Sequence, residues 1–206
     1  MFQHHSLTLH LQEQIMSIIK STILGFALIS TMATNFAQAD EWQTTIGFSL
    51  GSMNMDKASW SGEDNFGAIA LNLDLTKQAW PFGLSASIFG AGEEKKTGST
   101  KTEDVVGGLQ LGLKKSIPTF CDELEPYVSG GIYYSVAQKS IKTGDTTKKQ
   151  SDKDVSYFAG TGVLWHLSSH VNIGIEFRYS EVDVNIFNED LDGGGLFSAM
   201  SLSYSL

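Results

Sequence analysis

The feature that most narrows the fold is a two-residue alternation, clearest over Thr161–Tyr179, TGVLWHLSSHVNIGIEFRY. Val163, Trp165 and Leu167 fall on one face of a first run, and Val171, Ile173, Ile175, Phe177 and Tyr179 on one face of a second. The opposite face carries Gly162, His166, Asn172, Gly174, Glu176 and Arg178, with Ser168-Ser169-His170 as a tight turn between the runs. A strand places successive side chains on opposite faces, so this stretch predicts a hairpin with one apolar face and one small or polar face.

The same alternation recurs at Trp42–Leu50, Asn65–Leu75, Phe82–Gly92, Val105–Lys114, Tyr127–Ala137 and Leu196–Leu206. Between the runs, Met53–Asp64 reads as a polar loop containing Trp60, and Glu93–Asp104 as a charged loop without an apolar residue. Gln138–Asp154 reads as the longest loop, rich in Lys, Thr and Asp, and Glu181–Gly195 as an acidic one. Thr76–Pro81 is a short turn and Lys115–Glu125 a longer connection. Runs of about ten residues suit tilted strands crossing a bilayer, with long loops at one end and turns at the other. The predicted fold is all-β, an eight-stranded antiparallel up-and-down transmembrane β-barrel.

A soluble barrel would reverse the faces. Its outer face would be richly charged, whereas the middle of the polar face here is Gly, Ser, Ala and Gln. Small side chains suit the crowded interior of a narrow barrel. The apolar face is therefore assigned to lipid, which also demands that every backbone group be paired by closure. Trp42, Trp80, Trp165 and Tyr204 fall at the short-turn ends of their strands, and Tyr134, Tyr157, Phe177 and Tyr179 nearer the other ends. That is the layout of two membrane-interface girdles.

Asp74, Lys114, Glu176 and Arg178, with His166, fall on the inward face. They are expected to form a lumen polar network, because unpaired buried charge is costly. A polar pore or proton-linked site is the other use for such a set, but eight strands leave a lumen just wide enough for side chains.

With a net charge of −9 and Arg178 as the sole arginine, the chain is poorly suited to nucleic acid, whose phosphates need basic patches. A single Cys121 excludes an internal disulfide and a multi-cysteine metal site. An apolar segment, Ile18–Ala33, precedes Ala37-Gln38-Ala39, a small-x-small cleavage pattern. Residues 1–39 are thus expected to be a secretory signal peptide and 40–206 the barrel. Asp40, rather than Cys, argues against a lipid anchor. His4, His5, His10 and Glu13 ahead of the apolar core suit no signal peptide, so translation is expected to start at Met16.

Asn188-Glu189-Asp190-Leu191-Asp192-Gly193 resembles the opening of a calcium loop, but its twelfth position is Ala199, not a bidentate Glu. A solvated acidic loop is the expectation, with divalent ions bridging to lipopolysaccharide as the other use. Lys139, Lys142, Lys148, Lys149 and Lys153 sit in the third long loop, where lipopolysaccharide phosphates would attract them. After Ala39 the only histidines are His166 and His170, both at a short-turn end and unsuited to outer-leaflet lipid chemistry.

Pro126-Tyr127-Val128-Ser129-Gly130-Gly131-Ile132 resembles the "PYVGAG" strand of OmpA-like and opacity-type outer-membrane barrels. Gly160-Thr161-Gly162-Val163, Phe177-Arg178-Tyr179 and Met200-Ser201-Leu202-Ser203-Tyr204 resemble later strands of that family. The resemblance implies residence in the bacterial outer membrane, no cofactor and no enzymatic activity. Its implied partners are outer-membrane lipid and lipopolysaccharide, the barrel-assembly machinery, and an extracellular host or surface ligand. The chain ends on Leu206 where the family usually ends on Phe, which weakens the assembly signal. The resemblance carries no expectation of anchoring to the cell wall through a peptidoglycan-binding domain. Three roles stay open: a structural or surface-interaction barrel with a filled lumen, a narrow channel or small-solute binder, and a lipid A-modifying enzyme.

Overall fold

The computed structural model describes residues 42–55, 60, 65–77 and 80–206. The expected signal peptide and the Met16 start lie outside these residues. The barrel strands are β1 (Trp42–Asn54), β2 (Asn65–Lys77), β3 (Gly83–Thr97), β4 (Thr100–Ser116), β5 (Leu124–Thr143), β6 (Thr146–His166), β7 (Val171–Ser180) and β10 (Gly195–Ser205). A two-stranded hairpin, β8 (Asp183–Ile186) and β9 (Glu189–Asp192), lies between β7 and β10.

Each barrel strand pairs antiparallel with its sequence neighbour, and β1 closes the ring against β10 from Thr45↔Ser205 to Asn54↔Leu196. Closure leaves no sheet edge within the membrane-spanning part, as lipid requires. The apolar face points outward: Leu50, Ile69, Leu111, Ile132, Ile175 and Leu202 are all exposed on the outer wall.

The predicted loops at Glu93–Asp104 and Gln138–Asp154 are corrected: both are strand. β3 and β4 pair out to Thr97↔Thr100, and β5 and β6 out to Thr143↔Thr146. Gly98 (φ 62) and Gly144 (φ 59) supply the left-handed turn residues. A hydrophobic pattern marks a strand only where one face meets apolar surroundings. Beyond the bilayer the outer face meets no lipid and the inner face makes polar contacts, so Lys, Glu and Thr carry the ladder and the alternation disappears. Thr100 and Thr143 share a hydroxyl hydrogen bond of 3.2 Å, and Lys101 pairs with Glu94 at 2.8 Å. At 20 and 21 residues, β5 and β6 are about twice the length a bilayer needs.

Glu181–Gly195 is likewise more than an acidic loop. Val182, Val184 and Ile186 alternate, point inward and are buried, and Phe187 and Asn188 turn the chain at φ 57 and 62.

Candidate functional site: the filled lumen

The interior has two layers. At the long-hairpin end it is an apolar core. Phe66, Phe89, Val106, Tyr133 and Phe197 fill it from the wall, and Val182, Val184, Ile186 and Leu191 seal it from above. Phe89 meets Phe197 edge-on at 5.1 Å and Tyr133 at 6.2 Å. Met55 and Trp60, from the predicted polar loop, are buried there too, and the Trp60 indole N–H donates to the Asp192 carbonyl at 2.6 Å. A large apolar side chain in a polar segment was the available signal.

Below that layer, Arg178 crosses the lumen. Period two places Glu176 and Arg178 on the same inward face of β7. The guanidinium donates to Glu176 Oε2 from Nε (3.2 Å) and Nη2 (2.7 Å). Nη2 also donates to Asn72 Oδ1 on β2 (2.7 Å), and Nη1 to Ser87 Oγ on β3 (2.9 Å) and Gln110 Oε1 on β4 (2.8 Å). In the ring β3 is diametrically opposite β7, so one side chain ties facing walls together. Only the planar fork of arginine presents donors in that spread. Its apolar side stacks 5.4 Å from the Phe197 ring, where the polar layer meets the apolar one.

Lys114 on β4 pairs with Asp74 on β2 at 2.6 Å, and its ammonium lies 4.1 Å over the Tyr127 ring. The Tyr127 hydroxyl donates to Glu176 Oε2 at 3.4 Å, which links the two ion pairs. Gly162 makes room for that ring: a Cβ there would fall 2.6 Å from the Tyr127 hydroxyl. The four charged residues read from the sequence thus stand together inside the barrel. Their neutral partners Asn72, Ser87, Gln110 and Tyr127 also lie on the inward face, but alternation cannot show which wall residue an arginine reaches. A cavity of about 40 Å³ lies among these groups, with room for a few waters.

A third cluster spans the short-turn end. His166 contacts Asn172 Oδ1 through Nδ1 (2.6 Å) and Glu125 Oε2 through Nε2 (3.0 Å). Asn172 Nδ2 donates to Ser203 and Ser205 at 3.3 Å each. Ser116 donates to Glu125.

On the outer wall, Trp42 meets Trp80 edge-on at 5.2 Å, and Trp80, Trp165 and Tyr204 are exposed at the short-turn end. Tyr179 is exposed nearer the other end. The calcium-like stretch is strand β9 and its approach. Asp190 Oδ1 accepts from Asn185 Nδ2 and Asp192 Oδ1 from the Gly194 amide. Among the described residues no group of three His, Cys, Asp or Glu side chains could hold a metal ion. The lysines assigned to the third loop stand on β5 and β6, with Lys139 reaching inward to the Trp60 ring at 6.0 Å.

The model of the outer membrane protein beta-barrel domain matches residues 22–204. Among solved structures, Neisserial surface protein A aligns with a TM-score of 0.53 and 11% identity, over 80% of this chain and 96% of that one. Ail, the attachment invasion locus protein of Yersinia pestis, in complex with the heparin analogue sucrose octasulfate, aligns at 0.54 and 13%, over 81% and 98%. A major outer membrane protein from Thermus thermophilus aligns at 0.54 and 9%, over 80% and 99%. At these identities the likeness is one of fold. No curated protein matches the chain.

Proposed function

The chain belongs to the outer membrane protein beta-barrel domain family and lies in the bacterial outer membrane; from that premise we propose that it is a structural and surface-interaction barrel with a closed lumen. The long hairpins face the surroundings and the short turns the periplasm. The observation that carries this reading is the bracing of opposite walls by Arg178 beneath an apolar core. Two successive layers among the described residues, one of paired charges and one mainly apolar, favour a closed lumen over an open pore.

Lipid and lipopolysaccharide are the proposed surroundings of the outer wall, with Trp42, Trp80, Trp165, Tyr179 and Tyr204 as interface anchors. Lys153 is the first charged outward position beyond Val155 on β6 and pairs in register with Val136, so it is best placed for a lipopolysaccharide phosphate. The barrel-assembly machinery would read the last strand, in which Tyr204 is exposed, and the exposed Leu206 that follows it. The proposed activity is contact with an extracellular ligand rather than catalysis.

Purified protein in planar bilayers tests the closed lumen: no reproducible open state is expected. The cavity of about 40 Å³ beside the ion pairs favours a second reading, a narrow channel or small-solute binder. A stable conductance that changes with Arg178 would select that second reading instead.

A further inference from the structure

Two adjacent lysines of β4 point opposite ways. Lys114 turns into the lumen and pairs with Asp74 at 2.6 Å. Lys115 is exposed on the outer wall, where among the described residues its ammonium meets the Phe82 ring at 5.4 Å and no carboxylate. The period of two fixes this split, and the register with β5 sets Lys115 opposite Val128.

The position of Lys115 on that wall is unusual. Leu113 precedes it and Ile117 follows it on the outward face, and both are exposed, as are Val128 and Phe82 beside it. The apolar wall therefore continues past the charge instead of ending at it. Leu124 extends the same outward row of β5 towards the short-turn end and pairs in register with Trp165 of the aromatic girdle. Phe120 protrudes fully from the connection between β4 and β5.

That connection is tied by its own main chain. The Ile117 amide donates to the Pro126 carbonyl at 2.7 Å, and the Leu124 amide to the Cys121 carbonyl at 3.1 Å. A phenyl ring held out from such a turn is costly in water and favourable at a lipid interface. The turn and the wall above it thus form one continuous lipid-facing surface, with Lys115 set inside it.

A cation in an apolar, lipid-facing stretch needs an anionic partner, which its flexible stem extends to meet. Among the described residues the wall offers Lys115 none. A glycerophospholipid offers one in the right order: its phosphate joins directly to the acyl chains, as Lys115 joins directly to the apolar wall of Leu113 and Val128.

We propose that Lys115, Phe82 and the wall of Leu113 and Val128 form a binding site for one glycerophospholipid of the inner leaflet. Lys115 takes the phosphate, the acyl chains lie along the wall, and Phe120 anchors the neighbouring turn in the headgroup layer. The inference rests on the reading that the apolar face meets lipid and that the short turns face the periplasm.

The test uses the full chain folded in detergent micelles and native mass spectrometry. Phosphatidylglycerol is compared with diacylglycerol of the same chains, which lacks the phosphate. One phosphatidylglycerol is expected to bind at least tenfold tighter than diacylglycerol. Lys115→Gln should remove that preference and Lys115→Arg should keep it. Lys77, which ends β2 with its ammonium 5.9 Å over the Trp42 ring, is the control, and Lys77→Gln should leave the preference intact. Heat-dependent gel mobility confirms that each variant is folded.

Equal binding of the two lipids overturns the proposal, because the wall then takes up lipid without a phosphate site. A preference that survives Lys115→Gln, or that Lys77→Gln removes as fully, also overturns it, because the charge of the whole rim would explain the binding. Lys115-dependent binding of lipid A in preference to phosphatidylglycerol would assign the phosphate to the outer leaflet and overturn it as well. Binding of neither lipid overturns the proposal together with the reading beneath it, since a lipid-facing wall takes up diacylglycerol.

Discussion

The Arg178 guanidinium donates to Glu176 Oε2 at 2.7 Å, from two residues further along the same strand, while its Nη1 and Nη2 together also reach three strands across the lumen. The pair is nearly closed to solvent. Arg178→Met should cost about 3–5 kcal/mol, the range for leaving a buried charge uncompensated. Combining it with Glu176→Gln should recover part of that loss. Urea titration of barrels folded into vesicles measures both, and equal stability of the single and double variants would refute the pairing account.

The outward assignment of the apolar face predicts a large penalty for charge in mid-strand. Ile175 is 54% exposed on the outer wall. Ile175→Arg should destabilise the barrel in lipid by about 2–4 kcal/mol if that position faces the middle of the bilayer. A variant as stable in vesicles as the parent would show that this face does not meet lipid.

Phe89 stands between Tyr133 and Phe197 in the apolar layer. Phe89→Ala should cost about 3–5 kcal/mol, as truncation of a buried aromatic side chain does. Phe89→Leu should cost less, and thermal gel-shift curves rank the three proteins. Equal midpoints for Phe89→Ala and the parent would mean that the layer is not packed as a core.

The β8 hairpin carries a pH dependence. The Asn185 amide bonds Asp152 Oδ2 at 2.8 Å and holds this carboxyl below the usual aspartate range, with the Lys153 amide adding to the effect. A depressed carboxyl stabilises docking above its ordinary pKa, and the contribution fades as pH falls through the lowered value. Exchange of the Asn185 amide should therefore quicken relative to a reference amide in strong acid. Asp152→Ala should quicken it at neutral pH, whereas Asp152→Asn keeps an acceptor and should remove the pH dependence. Exchange that is insensitive to both pH and Asp152→Ala would place the hairpin's anchorage elsewhere.

What the sequence determined by itself was the part of the fold that the bilayer disciplines. Lipid on one side and a narrow lumen on the other force a period of two, so the alternation of Val171–Tyr179 announced strand, face and inward position together. For the same reason Asp74, Lys114, Glu176 and Arg178 were legible as inward charges. Only the tertiary structure decided what lies where that discipline ends. Glu93–Asp104 and Gln138–Asp154 have no lipid on their outer face and polar contacts on their inner one, so their ladders depend on partner strands and on Gly98 and Gly144, with no hydrophobic pattern to mark them. Met55, Trp60 and Val182 reach a core that forms only when separate connections fold over the same opening. The partners of Arg178 depend on closure of the ring, which brings Ser87, Gln110 and Asn72 within reach of a guanidinium distant from them in sequence. Alternation is a local property of each strand, whereas the stagger at which a barrel closes belongs to all its strands at once, and that stagger sets which inward side chains meet.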